Sequence, residues 1–284
     1  MQFRFVDWEI THLPDRSAQE TIGLLTLNRP ERKNALGPRL LIELDARLAE
    51  VGHSGVRVVV IRGAGGDFCA GGDLKEETLP LDNPDETWGL EGEYGEMVRW
   101  MANDHTHRFA RSALDRLETL PQPVIASIDG VATGGGFELA IACDLRIASD
   151  RIRMAELAAQ AGFVSEWSAA RTLPKIVGLA DATELILTGR FVDAEEALAM
   201  RLVNRVVPAA ELDAATMAWA GEIARLPHVS VQYAKEMLKL YNDDNRSDAR
   251  AAKEIDRVLE VMRRDECAEG IAAMLERRPP RWKT

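Results

Sequence analysis

The chain has 284 residues, 46% hydrophobic and 29% charged, with a formal net charge of −11. This is a globular composition, and its acidic balance disfavours non-specific binding to nucleic-acid backbones while leaving room for a small anion in a locally basic pocket. The three cysteines, Cys69, Cys143 and Cys267, have no metal-ligand spacing and argue against a disulfide framework. No apolar run reaches the ~18 residues of a membrane span, and the charged start MQFRFVDWEI is not a signal peptide. A cytoplasmic protein, away from membranes, is therefore expected.

In chain order, residues 2–12 and 21–27 read as strands, the second stopping at Asn28-Arg29-Pro30. From Pro38, the spacing of Leu41, Leu44, Leu48 and Val51 predicts a helix. VRVVVIRG (56–63) is apolar on both faces, as in a buried strand, and runs into the glycine-dense GAGGDFCAGGDL. Residues 76–107 are acidic and weakly patterned, with Trp88, Trp100, His105 and His107 scattered through them. They read as a lid or a surface loop, with the two histidines as minor candidate bases.

A helix over about 108–120 precedes the strand PVIASIDG. The triple glycine of ATGGGFELAIACD follows, opening a helix to about 143, and short strands are expected near 145–148 and 152–155. Beyond about 180 the pattern is helical. The expected division is an α/β core over 1–200 and a helical region over 201–284.

Two loops share one design, in which a buried strand enters glycine-rich backbone and then a helix. One is Ala70-Gly71-Gly72-Asp73-Leu74; the other is Thr133-Gly134-Gly135-Gly136-Phe137-Glu138. A helix start has N–H groups without internal partners and favours negative charge, and glycine lets a ligand approach the backbone. One such N–H from each loop could hold an oxyanion. The pattern contains no P-loop, no GxGxxG and no GxSxG elbow. By itself it leaves two readings open, an anion site or tight helix packing. Glu138 is either a carboxylate complementing the helix dipole or an acid/base placed beside that site.

The stretches LNRPERKNAL, VVVIRGAGGDFCAGGDL, PVIASIDGVATGGGFELAIACDLRIAS, LILTGRFVDAEEALAMRLVNRVVP and AEGIAAMLERRPPRW, in this order, resemble the crotonase (enoyl-CoA hydratase/isomerase) superfamily over nearly the whole chain. The resemblance implies an α/β fold, a ClpP-like crotonase spiral of ββα turns with a helical C-terminal trimerisation region, assembled as a homotrimer or hexamer. It implies an acyl-CoA thioester substrate whose carbonyl oxygen sits between the N–H groups of Gly72 and Gly135, stabilising an enolate. Coenzyme A arrives as part of the substrate, and neither a metal nor another cofactor is expected. Lys33, Ala70, Asp73, Leu74 and Lys75 fall where the family meets CoA, mostly through backbone, and Arg32 lies near the CoA phosphates. Glu138 matches the first catalytic glutamate of the hydratases.

The resemblance breaks at the second glutamate. An ungapped alignment from Cys143-Asp144 to Ile176-Val177-Gly178 puts Ala158 at that position. Glu156 fits only with a deletion and a compensating insertion. Glu166 needs no gap and lies where related isomerases and dehalogenases carry a functional aspartate, near Phe163 and Trp167. The expectation is therefore a Glu138/Glu166 pair performing hydratase-type addition or removal of water. A dienoyl-CoA isomerase, a ring-cleaving or thioester-hydrolysing enzyme, and a non-catalytic acyl-CoA binder are the alternatives. Three of the six tryptophans, Trp88, Trp100 and Trp167, hint at ring or branched acyl groups, though tryptophans more often serve as core or interface anchors.

Overall fold

The computed structural model describes residues 3–12, 21–73, 106–161, 165, 167–242 and scattered positions between 260 and 281. The main sheet has the order β1-β2-β3-β4-β6-β8: β1 (Val6–His12), β2 (Thr21–Leu27), β3 (Val58–Gly63), β4 (Val124–Ile128), β6 (Leu145–Ser149) and β8 (Arg205–Val207). β1 pairs antiparallel with β2, and every later pairing is parallel. A second, two-stranded parallel sheet joins β5 (Val131–Thr133) to β7 (Arg153–Ala155). The strands β5 and β8 were not expected, and β8 corrects the reading of everything beyond 180 as helical.

Side chains alternate along the parallel strands, and both faces are covered. Leu25, Leu27, Val59, Ile61, Val124, Ala126 and Ala148 point into the larger core. That core takes in α1 (Pro38–His53), through Leu41, Leu44, Leu48 and Val51, and α2 (Thr106–Thr119), through Ala113, Leu114 and Leu117. Ile22, Leu24, Val58, Val60, Ile125 and Ile147 point the other way, onto Leu212, Trp219, Ala220 and Ala224.

Five further helices complete the described chain in addition to the one opened by the triple glycine, α3 (Gly135–Ala142). They are α4 (Ala169–Val177), α5 (Leu179–Thr188), α6 (Ala194–Ala199), α7 (Leu212–Ala224) and α8 (His228–Asn242). Helix α8 is tied to the core by Lys235, whose Nζ reaches Gln122 O at 2.7 Å and Asp144 Oδ2 at 2.5 Å. No helix among the described residues is long and apolar enough to cross a membrane.

Candidate active site

The two glycine loops lie side by side. Cys69 N–H donates to Val131 O (2.9 Å), Thr133 N–H donates to Cys69 O (3.0 Å), and the Thr133 hydroxyl donates to Ala70 O (2.9 Å). Leu36 joins the first loop as a parallel bridge, giving its N–H to Gly71 O (2.7 Å) and accepting from Asp73 N–H (3.3 Å). Both of those bonds leave Gly72 N–H facing the other way. Gly72 and Gly135 are partly exposed, and neither N–H meets an acceptor among the described residues.

Each glycine of the triplet answers a different steric demand. Gly134 has φ +50, in the region side chains rarely adopt. A Cβ on Gly135 would run into the indole of Trp167, and one on Gly136 would run into the backbone carbonyl of Cys69. Across the gap, Gly71 has φ +92, and a Cβ there would lie 2.5 Å from Thr133 O and 3.3 Å from Gly135 N. The glycines therefore let two backbones touch where their N–H groups emerge, which accommodates both tight packing and an oxyanion site.

Glu138 lies in the first turn of α3 and is buried. Its Oε2 accepts the N–H groups of Ser168 and Ala169, the latter at 2.7 Å, at the start of α4. Two donors on one oxygen at a helix start serve a charged carboxylate best. The hydroxyl of Ser168, also buried, has no partner among the described residues.

A second buried carboxylate adjoins it. Ala155, the last residue of β7, accepts Gly134 N–H at 2.9 Å, so Glu156 leaves the sheet directly beside the glycine triplet. Glu156 is 2% exposed. Its Oε1 takes only the Ala158 N–H, at 3.3 Å, and its Oε2 meets no donor among the described residues. Burial first, and then the negative charge of Glu138, push Glu156 up to about 7, against a small opposing effect of the Ala158 N–H. Of the two neighbouring carboxylates, Glu138 is supplied with donors, while Glu156 holds its proton to higher pH than an ordinary carboxylate.

Residues 17–284 match the family model described as Enoyl-CoA hydratase/isomerase. The human protein named enoyl-CoA hydratase domain-containing protein 2, mitochondrial, is 33% identical over 275 residues, 95% of this chain and 86% of its own. Mouse methylglutaconyl-CoA hydratase, mitochondrial, is 31% identical over 280 residues, 96% of this chain and 82% of its own. The crystal structure of an enoyl-CoA hydratase from Bacillus anthracis superposes with a TM-score of 0.80 at 31% identity and covers 99% of both chains. The chain belongs to the enoyl-CoA hydratase/isomerase family of enzymes. Its fold is the crotonase fold.

Of the site residues expected for this family member, Gly72, Gly135 and Glu138 come together around the two loops. Ala70 is partly exposed and gives its N–H to Lys33 O at 2.9 Å. Lys33 and Arg32 are exposed, and Lys33 Nζ lies 3.4 Å from Asp67. Asp73 is buried, with its carboxylate 2.8 Å from Arg29 Nη1. Its side chain braces the loop from beneath, so any ligand contact at this position falls to the backbone. Leu74, Lys75, Glu166, Phe163, Cys267, Trp88, Trp100, His105 and the side chain of His107 lie outside the described residues. Trp167 is buried over Gly135, and Arg111 Nη1 holds its carbonyl at 2.6 Å.

Glu156 is the residue that linear alignment passed over. The signal that finds it is three-dimensional: Glu156 directly follows β7, where Ala155 accepts the Gly134 N–H, and its side chain is buried there.

Proposed function

We propose that the protein binds an acyl-CoA thioester and adds water to, or removes it from, a double bond conjugated with the thioester carbonyl. The observation that carries this reading is the pair of partly exposed N–H groups, Gly72 and Gly135, whose loops meet beside the buried carboxylate of Glu138. A carbonyl oxygen between those donors gains charge as the enolate forms, and fixed donors stabilise that charge more than they stabilise the neutral ester. Glu138, held by the start of α4, serves as the base that orients and deprotonates water. The names of the relatives, enoyl-CoA and methylglutaconyl-CoA hydratases, support the same reaction class.

The same reading takes residues 201–284 as the oligomerisation region of a cytoplasmic homotrimer or hexamer. The exposed Leu226 and Leu238 support this, and light scattering tests it.

The functional test is mass spectrometry in D2O with short, long, branched and aryl enoyl-CoAs. Gain of heavy water by at least one ester is expected, and Glu138→Gln lowers that turnover at least ~100-fold while CoA-ester binding survives. Deuterium uptake without water addition would make the protein an isomerase. Binding with neither change would make it an acyl-CoA binder.

A further inference from the structure

We propose that Glu156 is the second acid/base of this site, delivering its proton to the α-carbon of the thioester enolate while Glu138 handles the water. This rests on the proposed enolate chemistry and assigns to Glu156 the role that Ala158 cannot fill.

The geometry carries the assignment. Glu156 follows the Ala155–Gly134 hydrogen bond, so its backbone is fastened to the loop that ends in the Gly135 donor. Its Oε2 is a buried polar atom with no structural partner among the described residues, which fold stability alone does not account for. Among the described residues, Glu138 is the charged side chain that acts on it. The Ala158 N–H is the one donor to its side chain among the described residues, and its backbone carbonyl packs against Gly189. Gln160 is engaged by Thr188 O and Gly189 O, and the Arg190 guanidinium turns away to Glu184 and Glu196. Among the described residues no cation acts on the Glu156 carboxyl, and its burial beside the Glu138 charge favours the protonated form. Paired carboxyl groups whose environments push them apart divide the work in this way, one as base and one as acid.

The step balances without a co-reactant. Glu138 takes one proton from water as the water oxygen bonds to the β-carbon. The double-bond electrons move to the enolate, whose oxygen is held by Gly72 and Gly135. The enolate collapses to the thioester as its α-carbon takes the Glu156 proton. OH is then on the β-carbon and H on the α-carbon, and transfer of the Glu138 proton to Glu156 through solvent resets the site.

The experiment compares wild type with Glu156→Gln, Glu138→Gln and Glu166→Gln. It measures three quantities: turnover of a short enoyl-CoA across pH, binding of butanoyl-CoA, and exchange of the butanoyl-CoA α-protons in D2O. Thermal melting establishes that each variant folds. Glu156→Gln is expected to lose at least ~100-fold in kcat and to lose α-proton exchange, with butanoyl-CoA affinity kept within about threefold. Residual activity in this variant should also lack the wild-type pH limb near 7. Glu138→Gln should keep the exchange while losing turnover, because it addresses water rather than the α-carbon. Wild-type turnover and exchange retained by folded Glu156→Gln would overturn the inference and leave the proposed function standing. Loss of exchange in Glu166→Gln alone would also overturn it and move the role to that residue. Absence of all turnover and exchange in wild type would overturn the inference together with the reading beneath it.

Discussion

Two glutamates of this protein are buried almost equally, and their surroundings could hardly differ more. Glu43, on α1, is fully buried and accepts the N–H groups of Arg4, Phe5 and Val6 at 2.9, 2.6 and 3.1 Å, with Arg39 Nε at 3.1 Å from its other oxygen. It pins the chain entering β1 onto the core. Glu156 has one long N–H bond, an oxygen without a donor among the described residues, and a like charge as its neighbour. The first carboxylate repays its desolvation with donors and a cation, while the second does not. A buried charge that is fully partnered has a structural purpose. One that is left short is retained for another reason, and at Glu156 the adjacent glycine loops supply that reason.

The contrast breaks most sharply at Glu43. Glu43→Ala strands the N–H groups of Arg4, Phe5 and Val6, the last of them buried, and a guanidinium. Losing one member of a buried, hydrogen-bonded ion pair costs about 3–5 kcal/mol. Urea midpoints should fall accordingly, with kcat of the remaining folded enzyme unchanged. A loss below about 1 kcal/mol would mean that the N–H cluster finds water in its place.

At Glu156 the expected effect is smaller and opposite in sign. In the unfolded chain this carboxyl loses its proton around 4.5, whereas the folded protein keeps it to about 7. Between those values the native state binds more protons, so stability declines as pH rises. The penalty is absent below the lower value and complete above the higher one. Glu156→Gln cannot ionise and escapes it. The variant should therefore gain on wild type from pH 4.5 to 7 and keep that lead at pH 8, on the order of 1–3 kcal/mol. Parallel urea midpoints across this range would show that Glu156 titrates normally. A variant that is more stable and less active is the signature of a residue kept for chemistry at the expense of the fold.

How much of this was legible in the sequence depended on the length of the pattern. The helix from Pro38 showed through Leu41, Leu44, Leu48 and Val51, and β3 through its unbroken apolar run. Both patterns are long enough to outweigh local accidents. The two glycine loops and Glu138 were legible because strand, glycines and helix follow one another within a few residues. The strands β5 and β8 escaped because each is three residues long, Val131–Thr133 and Arg205–Val207, too short to display a period. They exist through their neighbours: β5 through its pairing with β7, β8 through its pairing with β6. Glu156 escaped because matching by position compares residue with residue, whereas its burial beside the Gly134 loop arises only on folding. The reason Gly135 must be glycine was likewise hidden, since Trp167 lies 32 positions away and only folding sets its ring against that Cα.

The finest test of the comparison lies in the coupling between the two active-site carboxylates. Burial is the larger cause of the raised Glu156 value and the Glu138 charge the smaller. Glu138→Gln removes the charge and leaves the burial. The Glu156 titration, followed by carboxyl 13C NMR or through the pH window of stability, should therefore move only part of the way back toward the ordinary carboxylate range. No movement would mean that solvent screens the pair and each glutamate titrates alone. A full return would make repulsion, not desolvation, the force that keeps Glu156 protonated. In that case the proton would be released as soon as Glu138 takes one from water, coupling the two halves of the reaction through charge alone.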